Sequence, residues 1–251
     1  MTRQRPINED GRVPPAVPPH TVRAPINVHH WDDIAFLHWP VEPDTLSRLL
    51  PPGLRVDVHA GAAWVGVTPF FIRVRPLGIP LVPPRCAFPE TNMRTYVIGP
   101  DGRQGIWFLR MEVTALWFVL ALRTLGLPYV RQHMAVDATG DVVQYRSWPT
   151  EPGGTGGHDI ALRPGRHVDP PTGGPREQFL TARWDAYHQV GRGLLRTSVE
   201  HPSWQLRTAD VERCDVTAMF DAVGLAPPAE PPVAHISPGV EVRLAPPRLL
   251  Q

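Results

Sequence analysis

No lysine occurs anywhere in the 251 residues, so all 25 basic side chains are arginines. The guanidinium stays protonated, whereas a covalent imine with a carbonyl compound needs a primary amine that can lose its proton. Lysine chemistry is therefore excluded from the side chains. Cysteine is scarce: Cys86 and Cys214 are far apart and form no C-x-x-C pair, which argues against a disulfide framework or a zinc cluster and points to a cytoplasmic protein. Runs of like charge are missing, and 25 basic groups face 24 acidic ones, so the clustered basic face that a nucleic-acid partner requires is not expected. Long hydrophobic runs are missing too. The most apolar stretch, Val113 to Leu122, sits between Glu112 and Arg123 and falls short of the ~18 residues of a membrane span. The Pro-rich N-terminus lacks the apolar core of a signal peptide, and no membrane partner is expected. H-E-x-x-H, G-x-S-x-G, G-x-x-x-x-G-K and a strand-following G-x-G-x-x-G are absent, which removes the common hydrolase, nucleotide and dinucleotide readings. Neither a metal nor a cofactor is expected.

What is present is enough apolar residue, 42%, to fill a core. Residues 1–25 carry prolines and no hydrophobic period, and read as a disordered or extended arm ahead of one domain, 26–251. Pro43 to Leu50 reads as a short helix stopped by Pro51-Pro52-Gly53. Leu54–Asp57 and Ala63–Arg75 alternate around His59-Ala60-Gly61-Ala62 as a β-hairpin would, and a Pro-rich connection runs from Pro76 to Pro84. Asn92–Ile98 and Gly105–Glu112 form a second strand pair around Gly99-Pro100-Asp101-Gly102. Helical spacing then takes over from Ala115 to Arg123, with Gly126 at the C-cap, and predicts one well-covered helix. Strands at Met134–Asp137 and Val142–Ser147 precede a Gly- and Pro-rich loop, 149–176, holding a short strand at Asp159–Arg163. Phe179–Tyr187 and Leu194–Val199 follow as strands around Gly191-Arg192-Gly193. A helix is expected over Asp210–Val223, and a last strand at Val240–Leu244. The fold class is α+β, a single domain on a large, mostly antiparallel, curved or barrel-like sheet with a few helices.

Several segments carry a resemblance in their order and spacing. They are Phe36-Leu37-His38-Trp39-Pro40, Leu50-Pro51-Pro52-Gly53-Leu54, Trp64-Val65-Gly66 and the run Phe88-Pro89-Glu90-Thr91-Asn92-Met93-Arg94-Thr95-Tyr96-Val97. Leu127-Pro128-Tyr129, Phe179-Leu180-Thr181-Ala182-Arg183-Trp184 and Glu200-His201-Pro202-Ser203-Trp204 continue the set. From about Ile26 onward the chain resembles the YqjF-like family of unknown function, itself similar in fold to acetoacetate decarboxylase. The resemblance implies a cone-like β-barrel with an interior pocket. In those decarboxylases the imine-forming lysine lies in a Gly-aromatic-Pro-Lys-Lys turn after the long helix. The matching turn here is Gly126-Leu127-Pro128-Tyr129-Val130, so Tyr129 and Val130 stand where the lysines would be. A phenol forms no iminium, so the resemblance implies an inherited pocket without the inherited reaction.

Glu90, Asn92, Arg94 and Tyr96 alternate and would share one face of a strand, where four long polar groups are costly unless they bond to a ligand or to each other. Both a ligand-facing row and a structural pair of Glu90 with Arg94 fit this pattern, and the resemblance places an acidic pocket residue near Glu90. Tyr129 offers a hydroxyl for hydrogen bonding or proton transfer, or packs as a satisfied aromatic. Glu90 and Tyr129 are the candidate catalytic residues. Asn92, Arg94, His38, Arg110 and His133 are candidate ligand-binding residues, and the histidines read equally as structural. Arg110 and Arg183, inside apolar runs, either clamp a carboxylate or form buried ion pairs with residues such as Glu112 and Asp185. His201 is read as fixing a strand end. Within His29-His30-Trp31-Asp32-Asp33, neighbours on an extended chain face opposite ways, so no metal site is expected there. The expected partner is a small molecule, an oxygenated organic acid or carbonyl compound handled by acid–base chemistry. A non-catalytic carrier or sensor, or a structural protein that homo-oligomerises, are the alternatives.

Overall fold

In a computed structural model, residues 12–76, 82–169 and 173–250 are described. Among them, thirteen strands form one sheet accompanied by four α-helices. The strands that matter for the site are β1 (Asn27–Val41), β3 (Ala63–Pro76), β4 (Ala87–Ile98), β5 (Gln104–Val113), β9 (Asp185–Val190), β10 (Gly193–Glu200) and β12 (Val233–Leu244). Each pairs with the next, and β12 pairs with β1, so these seven close into a ring. A second route from β5 to β12 runs through β6 (Tyr129–Thr139), β7 (Val142–Pro149), β8 (His158–His167) and β11 (Arg207–Asp215). Pairing is antiparallel except at β5–β6 and β5–β9.

Two rings sharing β12, β1, β3, β4 and β5 need two cores, and the period of two along a strand supplies both. Phe70, Ile72, Phe88, Met111 and Tyr129 pack in one cluster. Val67, Met93 and Val97 point the other way, into a cluster with Tyr145, Ile160 and Leu162. The short α1 (Pro43–Ser47) begins on its proline as expected.

Several elements differ from the sequence expectation. The segment β2 (Arg55–Val56) pairs with the end of β4, not with β3, and only a His59–Ala62 bridge marks the expected hairpin. Phe179 belongs to α3 (Pro175–Thr181), with a strand starting only at Asp185. The first part of the helix expected over Asp210–Val223 is the end of strand β11, and only the five-residue α4 (Thr217–Asp221) is helical. A register shift between Val211 and Arg213 breaks the alternation there, which is how a bulged strand imitates helical spacing. The helix α2 (Leu116–Arg123) ends near Gly126 at φ 74° as expected. Its apolar side is only partly covered: Phe118 and Val119 are buried, while Leu116, Trp117 and Leu120 are exposed.

The Gly- and Pro-rich loop contains β8, longer than the strand expected there. Part of the Pro76–Pro84 connection and part of residues 149–176 lie outside the described residues. Of the N-terminal arm, residues 12–25 are described, and they hold to the domain by backbone carbonyls. Pro14 O accepts from Gln178 Nε2 at 2.6 Å, Pro15 O from Trp184 Nε1 at 2.8 Å and Ala16 O from Ser203 Oγ at 3.1 Å.

Candidate functional site

The seven-stranded ring encloses a cavity of ≈ 160 Å³. Its wall is mainly apolar, with Ile34, Phe70, Ile72, Phe108, Met111 and Phe118 among the lining side chains. The most exposed lining residues, Ile26 at 40% and Leu125 at 38%, mark its mouth. Glu90, Asn92 and Arg94 enter from alternate positions of β4, Thr68 from β3 beside Asn92, and Tyr129 from the start of β6. Glu90, Asn92 and Arg94 from one strand face and Tyr129 thus meet in one place.

Tyr129 Oη donates to Glu90 Oε1 at 3.1 Å. Glu90 is 2% exposed. Burial pushes its carboxyl up to about 8, against the pull of hydrogen bonds from Tyr129 and Asn92. Burial first, then the Glu90 charge, drives the Tyr129 phenol well above its ordinary range. Glu90 is thus a neutral acid near pH 7 and Tyr129 a hydrogen-bond donor. Around them, Thr68 Oγ1, Glu90 Oε2, Asn92 Oδ1, and Nε and Nη2 of Arg94 are buried without a hydrogen-bond partner among the described residues. The Glu90–Arg94 salt bridge weighed from the sequence does not form. Arg94 instead has its guanidinium 5.6 Å from the Phe36 ring centre and 5.9 Å from that of Tyr96.

The remaining candidates lie elsewhere. His38 is buried on β1 and donates from Nε2 to Tyr96 Oη at 2.6 Å, because the Tyr96 hydroxyl hydrogen is committed to Leu180 O at 2.8 Å. Burial, then the Arg94 charge, keeps its imidazole well below the ordinary histidine range. Arg110 points away from the cavity to Glu112, with Nε 2.7 Å from Oε1, and its Nη2 donates to Thr155 O at 2.7 Å. Arg183 pairs with Asp57 at 2.6 Å rather than with Asp185. His133 is exposed and stacks on Trp148. His201, just past β10, bonds Pro202 O through Nδ1 and packs between Trp184 and Trp204.

Two features escaped the sequence reading. His29 and Trp31 line the cavity while His30 turns outward to Glu241. The alternation was visible, but nothing in the sequence said which face was inner. The second is the polar cluster around Glu112 on the opposite face of the sheet, of which the sequence offered only the buried Arg110–Glu112 pair, and that pair forms. There Oε1 accepts from Arg110 and, at 3.0 Å, from Gly157 N, while Oε2 accepts from Ser147 Oγ at 2.6 Å. Gln132 Nε2 also reaches Oε1 at 3.3 Å, and His158 Nδ1 stands 3.7 Å from Oε2. Burial alone would raise the Glu112 carboxyl, but His158, Ser147 and Arg110 outweigh it and hold it at about 2. No cluster of metal-ligating side chains occurs among the described residues, and no helix there is long and apolar enough to cross a membrane.

Comparison with known proteins agrees with this architecture. The model of DUF2071, described as an uncharacterized conserved protein family, matches residues 28–241. Uncharacterized protein YqjF of Bacillus subtilis is 32% identical over 210 residues, covering 82% of this chain and 84% of that protein. Among solved structures, the enduracididine biosynthesis enzyme MppR complexed with pyruvate superposes with a TM-score of 0.66 at 18% identity, over 91% of each chain. An acetoacetate decarboxylase-like enzyme from Sphingomonas wittichii RW1 gives 0.63 at 14% identity, over 94% of this chain and 97% of that one.

Proposed function

The chain belongs to the DUF2071 family of uncharacterized conserved proteins and has the acetoacetate-decarboxylase-like fold, and from that premise we propose that its ring cavity binds a small organic acid or carbonyl compound. The observation that carries the reading is the set of unpartnered polar atoms on Thr68, Glu90, Asn92 and Arg94 facing one apolar-walled space. Buried polar groups left unpaired cost stability, and a ligand that pairs them recovers it. Arg94 supplies a cation without a carboxylate neighbour, suited to an anionic ligand. Glu90, neutral at pH 7, presents the free Oε2 as a proton donor to a carbonyl or carboxylate oxygen, and Tyr129 orients it through Oε1. The chemistry is acid–base without an imine, because no lysine is present. The pyruvate complex of MppR supports the ligand class through the shared scaffold.

Titration calorimetry with pyruvate and butanoate tests this. At pH 7 the protein binds at least one of them, and Arg94→Met weakens binding by about ten- to a hundredfold, the worth of hydrogen bonds to a charged group. Binding should also weaken as pH rises through about 8, where Glu90 ionises beside the anion. Equal affinity in the wild type and Arg94→Met would remove the reading.

A further inference from the structure

Strand register gathers the unpaired polar atoms of Thr68, Glu90, Asn92 and Arg94 at one level of the cavity. Thr68 of β3 pairs with Asn92 of β4, Asn92 with Met111 of β5, and Met111 with Tyr129 of β6, so these four residues form one row across the sheet. On the same face, Glu90 stands two residues to one side of the row and Arg94 two residues to the other. Both lean in. The Tyr129 hydroxyl, 3.1 Å from Oε1, draws the Glu90 carboxyl to the row. The Arg94 guanidinium carbon lies 5.6 Å from the centre of the Phe36 ring, and Phe36 precedes Leu37, the partner of Val67, which sets that ring level with Thr68. Beyond Arg94 the space is closed. A Cβ added to Gly66, the partner of Arg94, would stand 3.0 Å from the His38 ring and 3.1 Å from Tyr96 Oη. A carboxylate on Arg94 is therefore at the blind end, and the apolar wall of Phe70, Ile72 and Phe118 leads away from it.

The unpaired atoms at this level differ in what they ask for. Nε and Nη2 of Arg94 only donate, and together they fit the two oxygens of one carboxylate. Thr68 Oγ1 has a hydrogen to add to the same carboxylate. Glu90 Oε2, on a carboxyl that burial keeps protonated at pH 7, also donates. Asn92 is the exception. Its amide N–H is turned to Glu90, so its free atom is Oδ1, which only accepts. The group beside the carboxylate must then accept from Glu90 and donate to Asn92. A keto oxygen only accepts, and leaves Asn92 Oδ1 unpaired. An ammonium group has no lone pair for Glu90, and it would be a second buried cation beside Arg94 with no ionised carboxylate among the described lining side chains. A hydroxyl does both. Its one hydrogen meets the one free acceptor, and its oxygen accepts from Glu90. Asn92 and Arg94 are two residues apart on one strand face, about 7 Å at ~3.3 Å per residue, a span closed by one hydrogen bond to each of two groups on neighbouring carbons. The cavity volume, ≈ 160 Å³, is near the about 150 Å³ of a cavity that holds benzene, so the rest of the ligand is a short apolar tail.

Resting on the acid-binding reading, we infer that the site selects 2-hydroxy acids with a short apolar tail: the carboxylate lies on Arg94 and Thr68, the 2-hydroxyl donates to Asn92 Oδ1 and accepts from Glu90, and the tail runs along the apolar wall. Three fixed directions at one carbon also select one enantiomer. The probes are butanoate, 2-oxobutanoate, 2-aminobutanoate and each enantiomer of 2-hydroxybutanoate, titrated by calorimetry into the full chain at pH 7. The preferred 2-hydroxy enantiomer should bind about tenfold tighter than 2-oxobutanoate, which leaves Asn92 unpaired. Asn92→Leu, which keeps the size and removes the acceptor, should bring that ratio near one, and Asn92→Ala serves if Asn92→Leu does not fold. An oxo or amino acid that binds as tightly as the hydroxy acid, two hydroxy enantiomers that bind alike, or a hydroxy preference unchanged in the Asn92 variant would overturn the selectivity while leaving the acid-binding reading intact. Failure of the whole series to bind the wild type would overturn the acid-binding reading itself, and the selectivity with it.

Discussion

Glu90 and Glu112 are both buried carboxylates on adjacent strands of one sheet, yet one is pushed up to about 8 and the other held at about 2. Their strands are in register with Thr91 opposite Glu112, so the two side chains leave opposite faces. Glu112 enters a site where a guanidinium, a hydroxyl, an amide and a backbone N–H fill its lone pairs. Glu90 enters a cavity with the Tyr129 hydroxyl on Oε1, the Asn92 amide beside it, and Oε2 without a hydrogen-bond partner among the described residues. Burial is common to both. The difference teaches that a closed shell of partners makes a buried acid structural, and an open one leaves room for a ligand.

Three experiments would break or sharpen this contrast. The largest effect is expected at the closed shell: Glu112→Ala strands the Arg110 charge and frees the 155–157 loop, and should cost about 3–5 kcal/mol by urea unfolding. A loss below ~1 kcal/mol would show that the shell does not hold the fold.

Next comes Glu90→Gln. The folded carboxyl, near 8, lies above its unfolded value of 4.5, so between pH 4.5 and 8 the native state holds a proton that the unfolded state has released. Stability contributed at this position therefore falls as pH rises through that window. The amide removes the penalty, and its melting temperature should exceed that of the wild type at pH 8 by the equivalent of roughly 1–3 kcal/mol. The two should converge at pH 4. Glu112 has the opposite sign, because its depressed value means its contribution is lost only as pH falls from 4.5 toward 2. An unchanged difference between pH 4 and 8 would show that folding does not raise the Glu90 carboxyl.

The smallest effect belongs to Tyr129→Phe, which deletes one hydroxyl and keeps the ring packed on Phe118. Stability should change by about 1 kcal/mol or less, and affinity for the best-binding acid should fall several-fold as Glu90 loses its orienting partner. A large drop in melting temperature with unchanged affinity would assign the hydroxyl to the fold.

Local pattern carried a good part of this molecule. The two-residue period from Glu90 to Tyr96 put Glu90, Asn92 and Arg94 on one face, the Gly126 turn ended α2, and the missing lysine removed imine chemistry, all from residues adjacent in the chain. Tertiary structure decided the rest. In β11 a bulge made a strand look helical. Glu112 draws its shell from Gln132, Ser147 and Gly157, which stand 20, 35 and 45 residues away. His29 became a cavity wall only when β12 and β10 closed the ring beside β1. A side chain's period follows from its own backbone. Its partners, and with them its charge state, follow from which distant strands the closing sheet brings against it.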